Sequence, residues 1–224
     1  MSYPRLQLTI FAFATLLAGQ PAKDWQTDFP VDKKTLGVKG SNPYFILTPG
    51  YQLVYKQGST VDTLTVLNEI VTIDGVETRV VEDREMKGTQ LMELTRDYYA
   101  IDSATNDVYY FGEDVDIYKG GKVVSHAGTW RSGVNGAKFG LMLPARPQVG
   151  QRFYQELAPK IAMDRAEIVS VTETVSTPAG KFEKCVHIAE TNPLDKGKTD
   201  HKWFAPGVGM VKDAGMMLVK YGPK

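Results

Sequence analysis

From residue 51 onward the chain repeats one pattern, and that pattern constrains its fold more than any other feature. Twelve strand-like runs cover roughly 51–57, 61–73, 76–85, 89–101, 107–118, 121–126, 151–157, 163–176, 181–190, 199–205, 208–213 and 216–221. Turn residues sit between them: Asp74-Gly75, Thr105-Asn106, Gly120-Gly121, Pro178-Ala179-Gly180 and Asp213-Ala214-Gly215. Such pairs mark tight hairpins, because the primed turns need positive φ. Many short strands with even spacing predict an all-β fold, an antiparallel meander curled into a half-open or closed barrel. No 3.6-residue stripe runs through the chain, so helices are expected only as short caps near 23–36 or 157–163. Leu64, Val66 and Ile70 share a run with Leu67, Val71 and Ile73, which implies a strand covered on both faces.

The N-terminal region reads differently. Leu6 to Ala18 is a thirteen-residue apolar run behind Arg5. As a helix it would span ~20 Å, short of a ~30 Å hydrocarbon core. A basic start, a short apolar stretch and small residues predict a signal peptide over 1–22. Leu17-Ala18-Gly19 is followed by Gln20 where a lipobox would place cysteine, so acylation is not expected. Residues 23–50 form an irregular segment broken by Pro30, Gly37, Gly40, Pro43 and Pro49, and 51–224 reads as a single β-domain. The expected location is periplasmic or secreted.

Without its leader the chain carries 25 basic and 26 acidic residues, since only Arg5 of the 26 Lys and Arg precedes residue 23. A balanced charge argues against nucleic acid or an anionic membrane as the main partner. Cys185 is the only cysteine, which rules out an intrachain disulfide. Stability must then come from the core, and about 200 residues suffice for one.

Residues 128–150 break the strand rhythm with five glycines, two prolines, Trp130, Phe139, Leu141, Met142 and Leu143. A long apolar connection in a β-domain reads as a functional loop or as a plug closing one end of the barrel. Tryptophan suits a pocket rim, with one dry and one wet edge. Trp130, Phe139, Met142, Trp203 and Phe204 are therefore the candidate ligand-binding residues, Trp130 and Trp203 flanking one opening. The bland reading is that both indoles are core filler.

Other chemistry finds little support. Gly207-Val208-Gly209 precedes a strand and lacks the Lys-Ser/Thr of a phosphate loop, so it reads as a hairpin with a bulge. No Gly-x-Ser-x-Gly elbow surrounds Ser132. Cys185 and His187 stand two apart on one run, a spacing open to metal or dyad chemistry but commoner for core residues. Asp97, Asp102, Asp107, Glu113, Asp114 and Asp116 do not match a calcium loop, and Glu156 and Asp164 flank one short segment. No cofactor and no metal ligand set is expected.

Several phrases together look familiar: Asn42-Pro43-Tyr44-Phe45, Asp97-Tyr98-Tyr99-Ala100, Val108-Tyr109-Tyr110-Phe111-Gly112, Gly128-Thr129-Trp130 and Trp203-Phe204-Ala205-Pro206-Gly207. The chain resembles a group of exported bacterial proteins and lipoproteins of unknown function. Its closing Ala205-Pro206-Gly207 to Lys212 phrase is similar to that of open-barrel proteins related to the lipoprotein carriers LolA and LolB. The resemblance implies an open barrel and no catalytic residues.

The expected function is a non-enzymatic binding module that shelters an apolar small molecule, lipid or protein segment in a curled sheet. The alternatives are a metal-dependent enzyme with a carboxylate site and a structural envelope protein that docks to a partner.

Overall fold

A computed structural model describes residues 24–224. The expected signal peptide over 1–22, with Gln20, lies outside the described residues. The described chain is all-β, a single antiparallel sheet nearly closed into a barrel. Among the described residues there is no helix. The two places expected to carry short helices hold turns instead. Ala158 and Ala162 bridge across one of them, where Pro159 removes a backbone donor.

The chain forms β1 (Leu36–Gly37), β2 (Tyr51–Gln57), β3 (Thr60–Ile73), β4 (Val76–Lys87), β5 (Gln90–Asp102) and β6 (Val108–Lys119). The middle holds β7 (Lys122–Ser125), β8 (Trp130–Arg131), β9 (Lys138–Leu143), β10 (Arg152–Tyr154) and β11 (Glu156–Leu157). It ends with β12 (Arg165–Thr177), β13 (Gly180–Asn192), β14 (Asp195–Ala205), β15 (Gly209–Asp213) and β16 (Met216–Pro223). The expected turns hold the left-handed backbone they require: Asp74 at φ 52°, Gly75 at 79°, Asn106 at 64° and Ala214 at 45°.

Around the barrel the strands run β10-β12-β13-β14-β15-β16-β2-β3-β4-β5-β6-β9-β11. C-terminal β16 pairs with β2, joining the two ends of the β-domain. The free edges meet at the short stretch that carries β10 and β11. Phe153 pairs with Ala166 on one side, whereas Glu156 pairs with Phe139 on the other. Between them the amides of Gln155 and Glu156 both donate to the Asp164 carbonyl, at 2.8 and 3.1 Å. One crossing segment, without a continuous ladder, thus spans the seam. The remaining edge of β10 is covered by Gln26, whose amide donates to the Arg152 carbonyl while its carbonyl accepts from the Tyr154 amide.

The segment expected to be irregular, 128–150, is partly sheet: β8 and β9 both pair with β6. Glycines on β6 and β9 let the chains approach closely here. Gly112, at φ 136°, lies against the Trp130 backbone, and a Cβ on Gly140 would strike the carbonyl oxygens of Tyr154 and Gln155. N-terminal Phe29 and Leu36 cover apolar residues of the central strands, including Ile73, Val76 and Tyr98. The cover expected on both faces of β3 is incomplete: Val66 and Ile73 are buried and Leu67 and Val71 pack against the core, but Ile70 is 47 % exposed.

Candidate functional site

The registers of three strands, one of them bulged, decide what faces the barrel interior. On β5, residues 93, 95, 97 and 99 share one side, and the ladder aligns Asp97 with Val81 and Thr95 with Asp83. On β6 a bulge at Phe111 changes parity, so Tyr110 pairs with Tyr99 but Glu113 pairs with Asp97. On β14, Lys202 and Phe204 point inward, opposite Ile188 and Val186 on β13. The outcome is two adjoining chambers.

The first, of about 150 Å³, is lined chiefly by Phe45, Tyr51, Leu53, Leu64, Met142 and Phe204, with Asp83, Asp97, Lys202 and Asp213 at one side. The second, of about 190 Å³, carries Asp83, Glu93, Asp97 and Glu113 from β4 to β6. Facing them across the seam are Glu156, Asp164 and Glu190, with the same Lys202. Asp83, Asp97, Tyr99, Met142 and Lys202 line both chambers, which makes them one continuous site.

Buried carboxylates resist ionisation because water is absent and like charges are near. Burial pushes the Asp97 carboxyl up to about 7, although Tyr110, donating to Oδ1 at 2.6 Å, pulls the other way. Burial, then the neighbouring Asp97 and Glu93, push Glu113 up to about 8. Burial raises Glu156 well above the carboxylate range, with Glu113 adding to it, and raises Asp83 likewise, with Asp62 adding. Among the described residues, Lys202 is the lone cation of the two chambers. Burial pulls its pKa down, but Glu190 at 2.9 Å and Asp213 at 3.8 Å more than offset this and hold it charged.

The sequence candidates divide. Met142 and Phe204 meet in the apolar chamber. Phe139 instead stacks on Phe111, ring centroids 4.7 Å apart, and meets Tyr109 edge-on in the core. Trp130 is only 3 % exposed, packs edge-on against Tyr110, and borders a separate hollow with Ala137, Ala158 and Ile161. Trp203 lies on the opposite face of β14 from Phe204, stacked on His187 at 4.4 Å. The two indoles share no chamber.

Of the carboxylates noted in the sequence, Asp97, Glu113, Glu156 and Asp164 converge in the lumen, while Asp102 and Asp107 tie loops at one end. Asp114 pairs with Arg131, and Asp116 pairs with His126 at 2.8 Å. Cys185 is fully buried, and burial lifts its thiol to about 11. His187 has its ring nitrogens 2.8 Å from Glu173 and from His201, with no bond to Cys185.

Sequence reasoning missed Asp83, Glu190, Asp213 and Lys202 as interior groups, with Glu93 at the exposed rim of the same chamber. A usable signal existed: Asp83 is two residues from Val81, and Asp97 two from Tyr99, so each acid shares a face with a core residue. Among the described residues no three His, Cys, Asp or Glu side chains converge on one metal-sized point. Compared with protein-family models, curated proteins and solved structures, the chain matches none.

Proposed function

We propose that this chain is an exported, non-enzymatic binding module whose barrel lumen shelters a small molecule with an apolar body. The observation that carries the reading is the 150 Å³ chamber lined by Phe45, Leu53, Leu64, Met142 and Phe204. Protein cores are close-packed, so such a space inside a barrel is a departure, and a cavity of that order accepts a benzene-sized group. Barrel mouths are common sites for small-molecule pockets. The leader-like N-terminal run and the resemblance to open-barrel carriers support export and sheltering, respectively.

The reading is tested by titrating toluene into the protein while recording amide resonances. Shifts are expected for Leu53, Leu64 and Phe204, and Met142→Trp, which fills the chamber, should abolish them while leaving the protein folded. Absence of shifts at millimolar toluene would remove the reading.

The carboxylates gathered in the lumen leave a metal-dependent enzyme as the second reading, although among the described residues no three of them converge on one point. Elemental analysis separates the two: stoichiometric metal that survives dialysis would replace the binding module with the enzyme.

A further inference from the structure

The chamber beside the apolar one indicates what the other end of the bound molecule carries. We propose that the lumen takes a compact primary amine, its aromatic or short aliphatic body in the apolar chamber and its ammonium among the carboxylates. This rests on the binding reading above and adds the chemical class of the ligand.

The charge balance comes first. The joined chambers hold eight carboxylates: Asp83, Glu93, Asp97 and Glu113 on one wall, and Glu156, Asp164, Glu190 and Asp213 on the other. Lys202 alone opposes them, and it is already engaged by Glu190 and Asp213. Isolated buried charge is costly, so burial keeps Asp83, Asp97, Glu113 and Glu156 at least partly protonated in the empty lumen, and an ammonium seated among them supplies the countercharge that lets them ionise. Acids alone would not define a ligand.

Gln155 supplies the independent observation. It is 2 % exposed and lines the acidic chamber, and its Nε2 donates to the Met142 carbonyl at 3.0 Å. Its Oε1 is buried with no partner. An orphaned acceptor of this kind is costly, and an N–H donor that reaches it from the chamber as the side chain adjusts would satisfy it. An ammonium carries three such donors. The third observation is continuity: Tyr99 and Met142 border both chambers, so one molecule can place an apolar group and a donor group at once. A bare metal ion would leave the apolar chamber unused, and the acids do not converge as a metal shell among the described residues.

Calorimetry at pH 7 with four probes tests this: 2-phenylethylamine, 2-phenylethanol, 3-phenylpropionate and ethylamine. The aryl amine should bind at least tenfold tighter than each of the others. An Asp97→Asn, Glu113→Gln protein, shown folded by circular dichroism, should lose about tenfold in affinity for it, and Met142→Trp should bind no probe. If the alcohol or the acid binds as well as the amine, the ammonium assignment falls while the sheltering of an apolar body stands. Equal binding of ethylamine would remove the apolar half of the assignment. If the carboxamide variant binds the amine as the native protein does, the acids are not its partners and the proposal is overturned. If no probe binds, both the amine and the binding module are wrong.

Discussion

Trp130 shows how one residue type can satisfy sterics and leave polarity unmet. Its ring meets Tyr110 at a centroid distance of 5.5 Å within a buried cluster that includes Val66, Val81 and Tyr99. Its Nε1 is buried without a partner. The indole therefore contributes area and shape, and its N–H contributes nothing favourable. Trp130→Ala should lose roughly 3–5 kcal/mol in urea denaturation, whereas Trp130→Phe should lose clearly less, because the group it discards includes the orphaned donor. A loss below about 1 kcal/mol for the alanine variant would mean that the ring is not core. Trp203 is the contrasting case: its Nε1 donates to Glu173 Oε2 at 2.6 Å, and Lys212 Nζ lies 4.2 Å from its ring centre. Both indoles invited a pocket-rim reading, and the alternation of β14 together with the pairing of β8 on β6 sends them to different places.

At the scale of elements, glycines mark where two backbones meet. Gly140 on β9 lies beneath the segment that crosses the seam, and the atoms an added Cβ would strike are backbone carbonyls, which cannot swing aside. Gly209 is held at φ 104°, but the nearest atom to its would-be Cβ is Leu53 Cδ1 at 3.3 Å, the end of a flexible side chain. Gly140→Ala is therefore expected to cost about 3 kcal/mol by overpacking, against roughly 1 kcal/mol or more of backbone strain for Gly209→Ala. Urea midpoints for the pair check the order, and a Gly140→Ala protein as stable as Gly209→Ala would show that the crossing segment is not pinned to β9. The long strands were legible in the sequence because period-two alternation and Asp-Gly or Gly-Gly turns are local signals. The seam was not, because the residues flanking Gln155 turn to different strands, Tyr154 to Arg165 on β12 and Glu156 to Phe139 on β9. Bulges were illegible for a related reason: one extra residue at Phe111 moves Glu113 to the lumen side, and nothing in the string Phe111-Gly112-Glu113 announces the change of parity.

Taken as a whole, the molecule hides its acids by closing. On an open sheet, Asp97 and Glu113 would face solvent and look like any charged strand face; only the return of β14 and β15 with Lys202 and Asp213 makes that face an interior. Closure makes stability depend on pH. Asp97 and Glu113 titrate near 7 and 8 when folded, but near 4 when the chain is unfolded. Below about pH 4 both states hold these protons, and the contribution to stability is fully present. Between about pH 4 and 8 the unfolded chain releases them while the folded barrel keeps them, so stability falls as pH rises, on the order of 1 kcal/mol per pH unit for each group. Other carboxyls act oppositely. Asp102 and Asp114 lie below the usual range, burial being outweighed by hydrogen bonds from Thr35, Ala104 and Thr105 to the first and from Arg131 and Tyr98 to the second, so their contribution is lost as pH falls below about 4. The two trends place the stability maximum near pH 4–5, below the sequence pI of about 6.8. Thermal melts across pH 3–9 should show Tm highest there and declining toward pH 8. An Asp97→Asn, Glu113→Gln protein keeps the volume and removes two of the titrations, so its Tm should decline less steeply over the same interval, with Glu156 and Asp83 still contributing, and exceed that of the native protein at pH 8. A native Tm that climbs steadily from pH 4 to 8 would mean that the lumen acids are ionised and solvated in the folded state, and the buried-acid account of the barrel would fail with it.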